Sequence, residues 1–155
     1  MTADRSGPLV PDGFEPPLEL ATERFLLRPL GPEHNVSDRQ AWTSSIDHIR
    51  ATAGAEGRSW PTVPLSLEEN LADLEGHASE FKERVAFAYT VLDPGTEEVI
   101  GCVYFDPPRR EGVDVDVWSW VSESHAELDE PLYSLVNDWL ATSWPWATPD
   151  YAPRR

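Results

Sequence analysis

Between Val113 and Val121 apolar residues alternate with others, so Asp114, Asp116, Trp118 and Trp120 fall on one face of a strand. A carboxylate among indoles has a chemical use. Desolvation by the rings raises its pKa, and it can then take a proton from an ammonium group. Asp116, in mid-strand, is the candidate catalytic base, and Trp118 and Trp120 are candidate substrate-binding walls for an amine. A structural alternative stays open: Asp114 exposed at the strand start, Asp116 satisfied by a neighbour, and both indoles in the core.

Other reactive residues are sparse. His34, His48, His77 and His125 are scattered, and none reads as a metal ligand, so no metal is expected. Cys102 is the only cysteine and lies in an apolar run, which reads as packing. One cysteine excludes an internal disulfide and fits a reducing, cytoplasmic setting. Ser119, Ser122 and Ser124 lack a G-x-S-x-G context, so a hydrolase is unsupported. Trp42 and Trp139 fall on apolar helix faces and read as core.

Charge narrows the partners. The 155 residues suit one domain and carry a formal charge of −16. That excess argues against nucleic acid and against an anionic membrane, which both need basic footprints. No apolar run approaches a membrane span, and Met1 to Pro17 does not read as a signal peptide. The acid is also local. Residues 111–153 hold nine carboxylates and no Lys or Arg. Such a surface suits an amine, a basic protein partner or a second copy of the chain.

The elements that must position these residues follow from periodicity. Residues 1–17 are rich in Pro and Gly and read as an irregular arm before a single domain over 18–155. Leu18 to Arg28 reads as a strand. Ser37-x-x-Gln40 is a capping-box pattern before Trp42, Ile46 and Ile49, one helix face. Ser66-x-x-Glu69 is a second, before Leu67, Leu71, Leu74, Ala78, Phe81 and Val85. Ala86 to Leu92, Val99 to Phe105 and Val113 to Val121 read as a three-stranded meander. A helix follows, with Asp129 as its expected cap and Leu132, Leu135, Val136, Trp139 and Leu140 inward. Pro145, Pro149 and Pro153 predict an irregular tail from about residue 145.

The order is strand-helix-helix-strand-strand-strand-helix, an α/β (α+β) arrangement. Leu20-x-Thr22-Glu23-Arg24-Phe25-x-Leu27-Arg28-Pro29-Leu30 resembles the opening strand of the GNAT N-acetyltransferases, especially those acting on protein N-termini and aminoglycosides. Val99-Ile100-Gly101-Cys102-Val103 resembles their third strand and Val115 to Val121 their fourth. The resemblance implies a mixed, mostly antiparallel sheet flanked by helices, splayed after the fourth strand. It implies acetyl-CoA in the splay, cofactor-binding backbone at Val121 and Ser122, an acid near the acceptor at Asp116, and a small amine or peptide N-terminus as acceptor.

Two features depart from that family. Its phosphate loop is Arg/Gln-x-x-Gly-x-Gly/Ala. Ser122 to Pro131 has neither glycine nor arginine, and it has Glu123, Glu127, Asp129 and Glu130. Asp129 or Glu130 is expected to accept the helix N–H groups that a phosphate needs. An unpaired carboxylate about 4 Å from a phosphate costs on the order of 4 kcal/mol, roughly a thousandfold in affinity. The family's later strand and catalytic tyrosine also lack a match, since Tyr133 and Tyr151 are the only late tyrosines. Two functions therefore stand open: an amine acetyltransferase, or a GNAT-like binding domain without catalysis.

Overall fold

Asp93 turns the first hairpin of the meander as its side chain dictates: Oδ1 accepts from the N–H groups of Gly95 (2.7 Å) and Thr96 (3.0 Å). In the computed structural model, which describes residues 7–154, this hairpin joins β3 (Phe87–Leu92) to β4 (Val99–Asp106). β5 (Val115–Val121) pairs antiparallel with β4. On the other side lie β2 (Leu26–Pro29) and the short β1 (Leu20–Ala21). The expected strand over 18–28 is therefore two, broken by a turn in which Thr22 Oγ1 accepts from Phe25 N–H at 3.0 Å.

Gly101 is required where β4 meets β5. A Cβ there would collide with the Trp120 carbonyl oxygen of the neighbouring strand.

The tail departs from expectation. Pro149–Tyr151 forms β6, parallel to β5 and pairing Val115, Asp116 and Val117 with Pro149, Asp150 and Tyr151. Proline is tolerated because β6 is an edge strand. The sheet order is β1-β2-β3-β4-β5-β6. Beyond Val117 the two parallel strands part. The arm is packed rather than loose where it is described: Leu9 N–H donates to Arg84 O at 2.8 Å, and Val10 is buried. Residues 1–6 of that arm, and Arg155, lie outside the described residues.

Helices cover both faces. α3 (Leu67–Glu83) begins with the expected capping box: Ser66 Oγ accepts from Glu69 N–H at 3.0 Å, and Glu69 Oε1 from Ser66 N–H at 2.8 Å. The expected box at Ser37 does not form. α1 (Asn35–Thr43) starts a turn earlier, and Ser37 Oγ accepts from Val99 N–H at 2.8 Å, tying α1 to β4. The expected single helix breaks at Ser44 and Ser45 before α2 (Ile46–Arg50). Trp42 Nε1 donates to Asn70 Oδ1 at 3.0 Å, and Asn70 donates to Asp38 at 3.2 Å, which locks α1 to α3. These helices bury Trp42, Ile49 and Leu74 against Cys102, Trp118 and Trp120. α4 (Asp129–Ser143) buries Leu132, Val136 and Trp139 against Val115, Val117 and Val121 on the opposite face. Among the described residues no helix is long and apolar enough to cross a membrane.

Candidate functional site

β5 serves two places, because alternate residues face opposite ways and alternate peptide groups face opposite neighbours. Asp116, Trp118 and Trp120 face α1–α3. Val115, Val117, Ser119 and Val121 face α4. Ser122 N–H donates to Ile100 O at 2.9 Å, so the β4 ladder uses the even-numbered peptide groups. The peptide groups of Ser119 and Val121 therefore point toward the splay between β5 and β6.

On the α3 side lies a cavity of about 440 Å³. α3 contributes Asp73 and His77, one turn apart on the same face. β4 contributes Tyr104 and Asp106, two residues apart on one strand face. The loop after α2 contributes Arg58 and Trp60, and Arg109 follows β4. Trp118 forms the aromatic floor with Tyr104, stacked at 5.5 Å, and Trp60 stands edge-on to both rings.

The charges pair unevenly. Arg58 grips Asp116 with two bonds, 2.9 and 3.2 Å, while its guanidinium lies 4.9 Å from the Trp118 ring centre. Asp116 is thus a buried carboxylate with both oxygens occupied. His77 lies 3.6 Å from Asp73 and 3.7 Å from Glu80. Burial works against its protonation, but Asp73, Glu80 and Asp106 outweigh that and raise its pKa. Asp106 stands directly across the strand pair from Asp116. Among the described residues no hydrogen-bond donor and no cation within 4 Å meets its carboxylate. Burial, then the Asp116 charge, pushes its pKa up to about 6.

Trp118 therefore lines the cavity, while Trp120 lies fully buried beneath it with Nε1 donating to Tyr104 Oη at 3.0 Å. Asp73, His77, Tyr104, Asp106, Arg58 and Arg109 were not visible as a group in the sequence. The i, i+4 spacing of Asp73 and His77 and the alternation of Tyr104 and Asp106 were visible. Their meeting depends on the packing of α3 over β4.

The splay is the second place. Arg154 lies in it with 3% of its side chain exposed. Its Nη2 donates to Ser119 O at 2.8 Å and its Nε to Asp129 Oδ2 at 2.9 Å. Tyr133 and Tyr151 flank the guanidinium at 5.8 and 5.6 Å. Tyr151 Oη and Ser119 Oγ share a hydrogen bond of 2.6 Å. Asp129 consequently does not cap α4, whose first turn has no side-chain cap bond. Val121 is buried with its peptide toward the splay, and Ser122 Oγ bonds His125 Nδ1 at 2.8 Å. Among the described residues no cluster of three or more metal-binding side chains occurs.

No protein-family model and no curated protein sequence matches the chain. Solved structures do. Ribosomal-protein-S5-alanine acetyltransferase from Vibrio fischeri superposes with a TM-score of 0.61 at 14% identity, covering 80% of this chain and 67% of that one. The microcin C7 self-immunity acetyltransferase MccE, in complex with acetyl-CoA and AMP, gives 0.59 at 11% identity over 77% of this chain and 62% of that one. RimL, the ribosomal L7/L12 alpha-N-protein acetyltransferase in complex with coenzyme A, gives 0.57 at 16% identity over 79% and 66%. The chain has the GNAT acetyltransferase fold. It spans about two thirds of the length of these neighbours, or slightly less.

As this chain arranges it, the splay is filled by the Arg154 side chain, which acetyl-CoA would have to displace. Arg154 uses the Ser119 carbonyl, and carboxylates at Glu123, Glu127 and Glu130 surround the entry to α4. The amide of Glu123 is already taken by Ser45 Oγ at 2.9 Å.

Proposed function

We propose that this GNAT-fold chain is an N-acetyltransferase whose acceptor, a primary amine, binds in the cavity between α3 and the β4–β5 pair. The observation that carries this reading is Asp106. A half-buried carboxylate without a protein donor, lining the cavity and opposite a second carboxylate, offers a charge that a cation can meet. Trp60, Tyr104 and Trp118 supply ring faces and edges around it, which suit an ammonium group. The fold's neighbours include enzymes named for ribosomal-protein N-termini, which are amines.

In this reading Asp106 binds the ammonium and takes its proton, since a carboxylate with a pKa near 6 is a better base than an ordinary one. Asp116 positions Arg58 and through it the Trp118 ring. The Val121 peptide, turned toward the splay, would hold an acyl group there, and Ser122 with His125 closes the turn that follows. The fold's usual donor is acetyl-CoA, and no step through it is derived, because Arg154 stands in its place.

That same Arg154 favours a second reading, an amine-binding domain without turnover. Calorimetry with a panel of primary amines, followed by an acetyl-transfer assay that detects released thiol, separates them. Amine binding with transfer supports the enzyme. Amine binding without transfer supports the binding domain. No amine binding at millimolar ligand removes both.

A further inference from the structure

We infer that the ligand of this cavity is a zwitterion of amino-acid size, its ammonium on Asp106 and its anionic group on Arg109. The inference rests on the amine reading and narrows it.

The cavity's charges pair off until one of each sign is left. Arg58 is neutralised by Asp116, and His77 is shared between Asp73 and Glu80. Asp106 remains without a donor. On the other side of the balance stands Arg109, an exposed guanidinium whose one hydrogen bond among the described residues is a 3.3 Å contact from Nη2 to Glu56 O. It has no carboxylate within 4 Å among those residues, although Asp106 lines the same cavity. A guanidinium has five N–H donors, so four or more remain for a ligand. Gly57, in the left-handed region at φ 78°, leaves room beside Arg109: a Cβ there would lie 2.9 Å from Nη2.

A carboxylate and a guanidinium that share a cavity without pairing can be bridged by one molecule bearing both opposite charges. A simple alkylamine would satisfy Asp106 and leave Arg109 unused. A carboxylate or phosphate would do the reverse and add a third negative charge beside Asp106 and Asp116. The cavity of about 440 Å³ admits an amino acid with room to spare and has aromatic walls for its side chain. Guanidinium–carboxylate recognition is directional and charge-assisted, so the second contact discriminates as well as attracts.

Calorimetry on the full chain with phenylalanine, phenethylamine and 3-phenylpropionate tests this. These three share a ring and differ in the two charged groups. Phenylalanine is expected to bind about tenfold or more tighter than either relative. Arg109→Ala should erase that advantage and leave phenethylamine binding unchanged, and Arg109→Lys should restore part of it. Asp106→Asn should weaken phenylalanine and phenethylamine alike. A dipeptide with aspartate second distinguishes the source of the anion: binding weaker than phenylalanine supports a free amino acid, and tighter binding overturns it. Equal binding of phenylalanine and phenethylamine, or an Arg109→Ala effect common to both, overturns the zwitterion while leaving the amine reading intact. Failure of all amines to bind removes both.

Discussion

Arg154 donates to the backbone carbonyl of Ser119 across the splay between β5 and β6, at 2.8 Å. This contact joins the last described residue of the chain to the middle of the strand on which both sites depend. It also brings in a charge that the local sequence lacks. Residues 111–153 contain no base, yet the fold returns one from just beyond them to the carboxylate at Asp129.

Replacing Arg154 by alanine is expected to open the splay. It removes the donor to Ser119 and the partner of Asp129, whose side chain is 25% exposed and so partly solvated. The cost to stability is about 1–2 kcal/mol, below that of a fully buried pair. Coenzyme A affinity, measured by calorimetry, should rise by about tenfold or more as the peptides of Ser119 and Val121 become accessible. An unchanged affinity would mean that the carboxylates before α4, rather than the guanidinium, keep the cofactor out.

Gly101→Ala is expected to disrupt the β4–β5 pair. The added Cβ would collide with the Trp120 carbonyl and approach Val121 Cα to 3.3 Å. Both are backbone atoms of a central strand, so no side-chain rotation relieves the clash. A loss of about 2–4 kcal/mol follows. Urea unfolding reads it directly, and a midpoint within error of the parent would show that the strands can separate at little cost.

What the sequence made legible was local. The Ser66–Glu69 box lies within four residues, and its two reciprocal bonds form as its spacing requires. Residues 113–121 alternate and α4 repeats from Leu132 to Leu140, long enough to stand out, while β3 and β4 are apolar runs bounded by turn signals. Ser37 failed because the same local pattern has another use: Val99 N–H needs an acceptor and finds its hydroxyl. β6 is three residues long and contains Pro149, and its reason to be a strand is the β5 edge, with Val115 pairing Pro149 far along the chain. The cavity was half legible. Trp118 and Asp116 were visible by alternation, but Asp106 and His77 come from β4 and α3, and no spacing relates them. The Arg154–Asp129 pair is equally non-local.

Ser66→Ala should cost about 1 kcal/mol, because the Glu69 N–H loses its acceptor at the exposed start of α3. The cavity residues Asp73 and His77 lie two turns and more beyond the cap. Amine affinity is therefore expected to stay within twofold while the melting temperature falls by a few degrees. A large drop in affinity with the small loss of stability would show instead that the first turn of α3 sets the cavity's shape.

Asp106 links the cavity to pH, and the sign follows from its raised pKa of about 6. Unfolded, an aspartate titrates near 3.9. Between those values the native chain holds the proton more often than the unfolded one, so this residue stabilises the fold at low pH and loses that contribution as pH rises through about 6. Asp38, also raised to about 6 chiefly by burial, acts in the same sense. Asp93 and Asp150, both lowered, act oppositely but only below the ordinary carboxylate range. The groups facing Asp106 are Asp116 from β5, His77 and Glu80 from α3, and Arg58 from the loop. Asp106→Asn removes the titration without removing the shape. Relative to the parent it should gain roughly 1–3 kcal/mol between pH 4 and pH 8, read by urea unfolding at both values. The same substitution should weaken ammonium binding at pH 8, whereas the parent should lose it only as pH falls through about 6. A variant that is both more stable and binds amines at pH 8 as tightly as the parent would detach the buried charge from the function assigned to it.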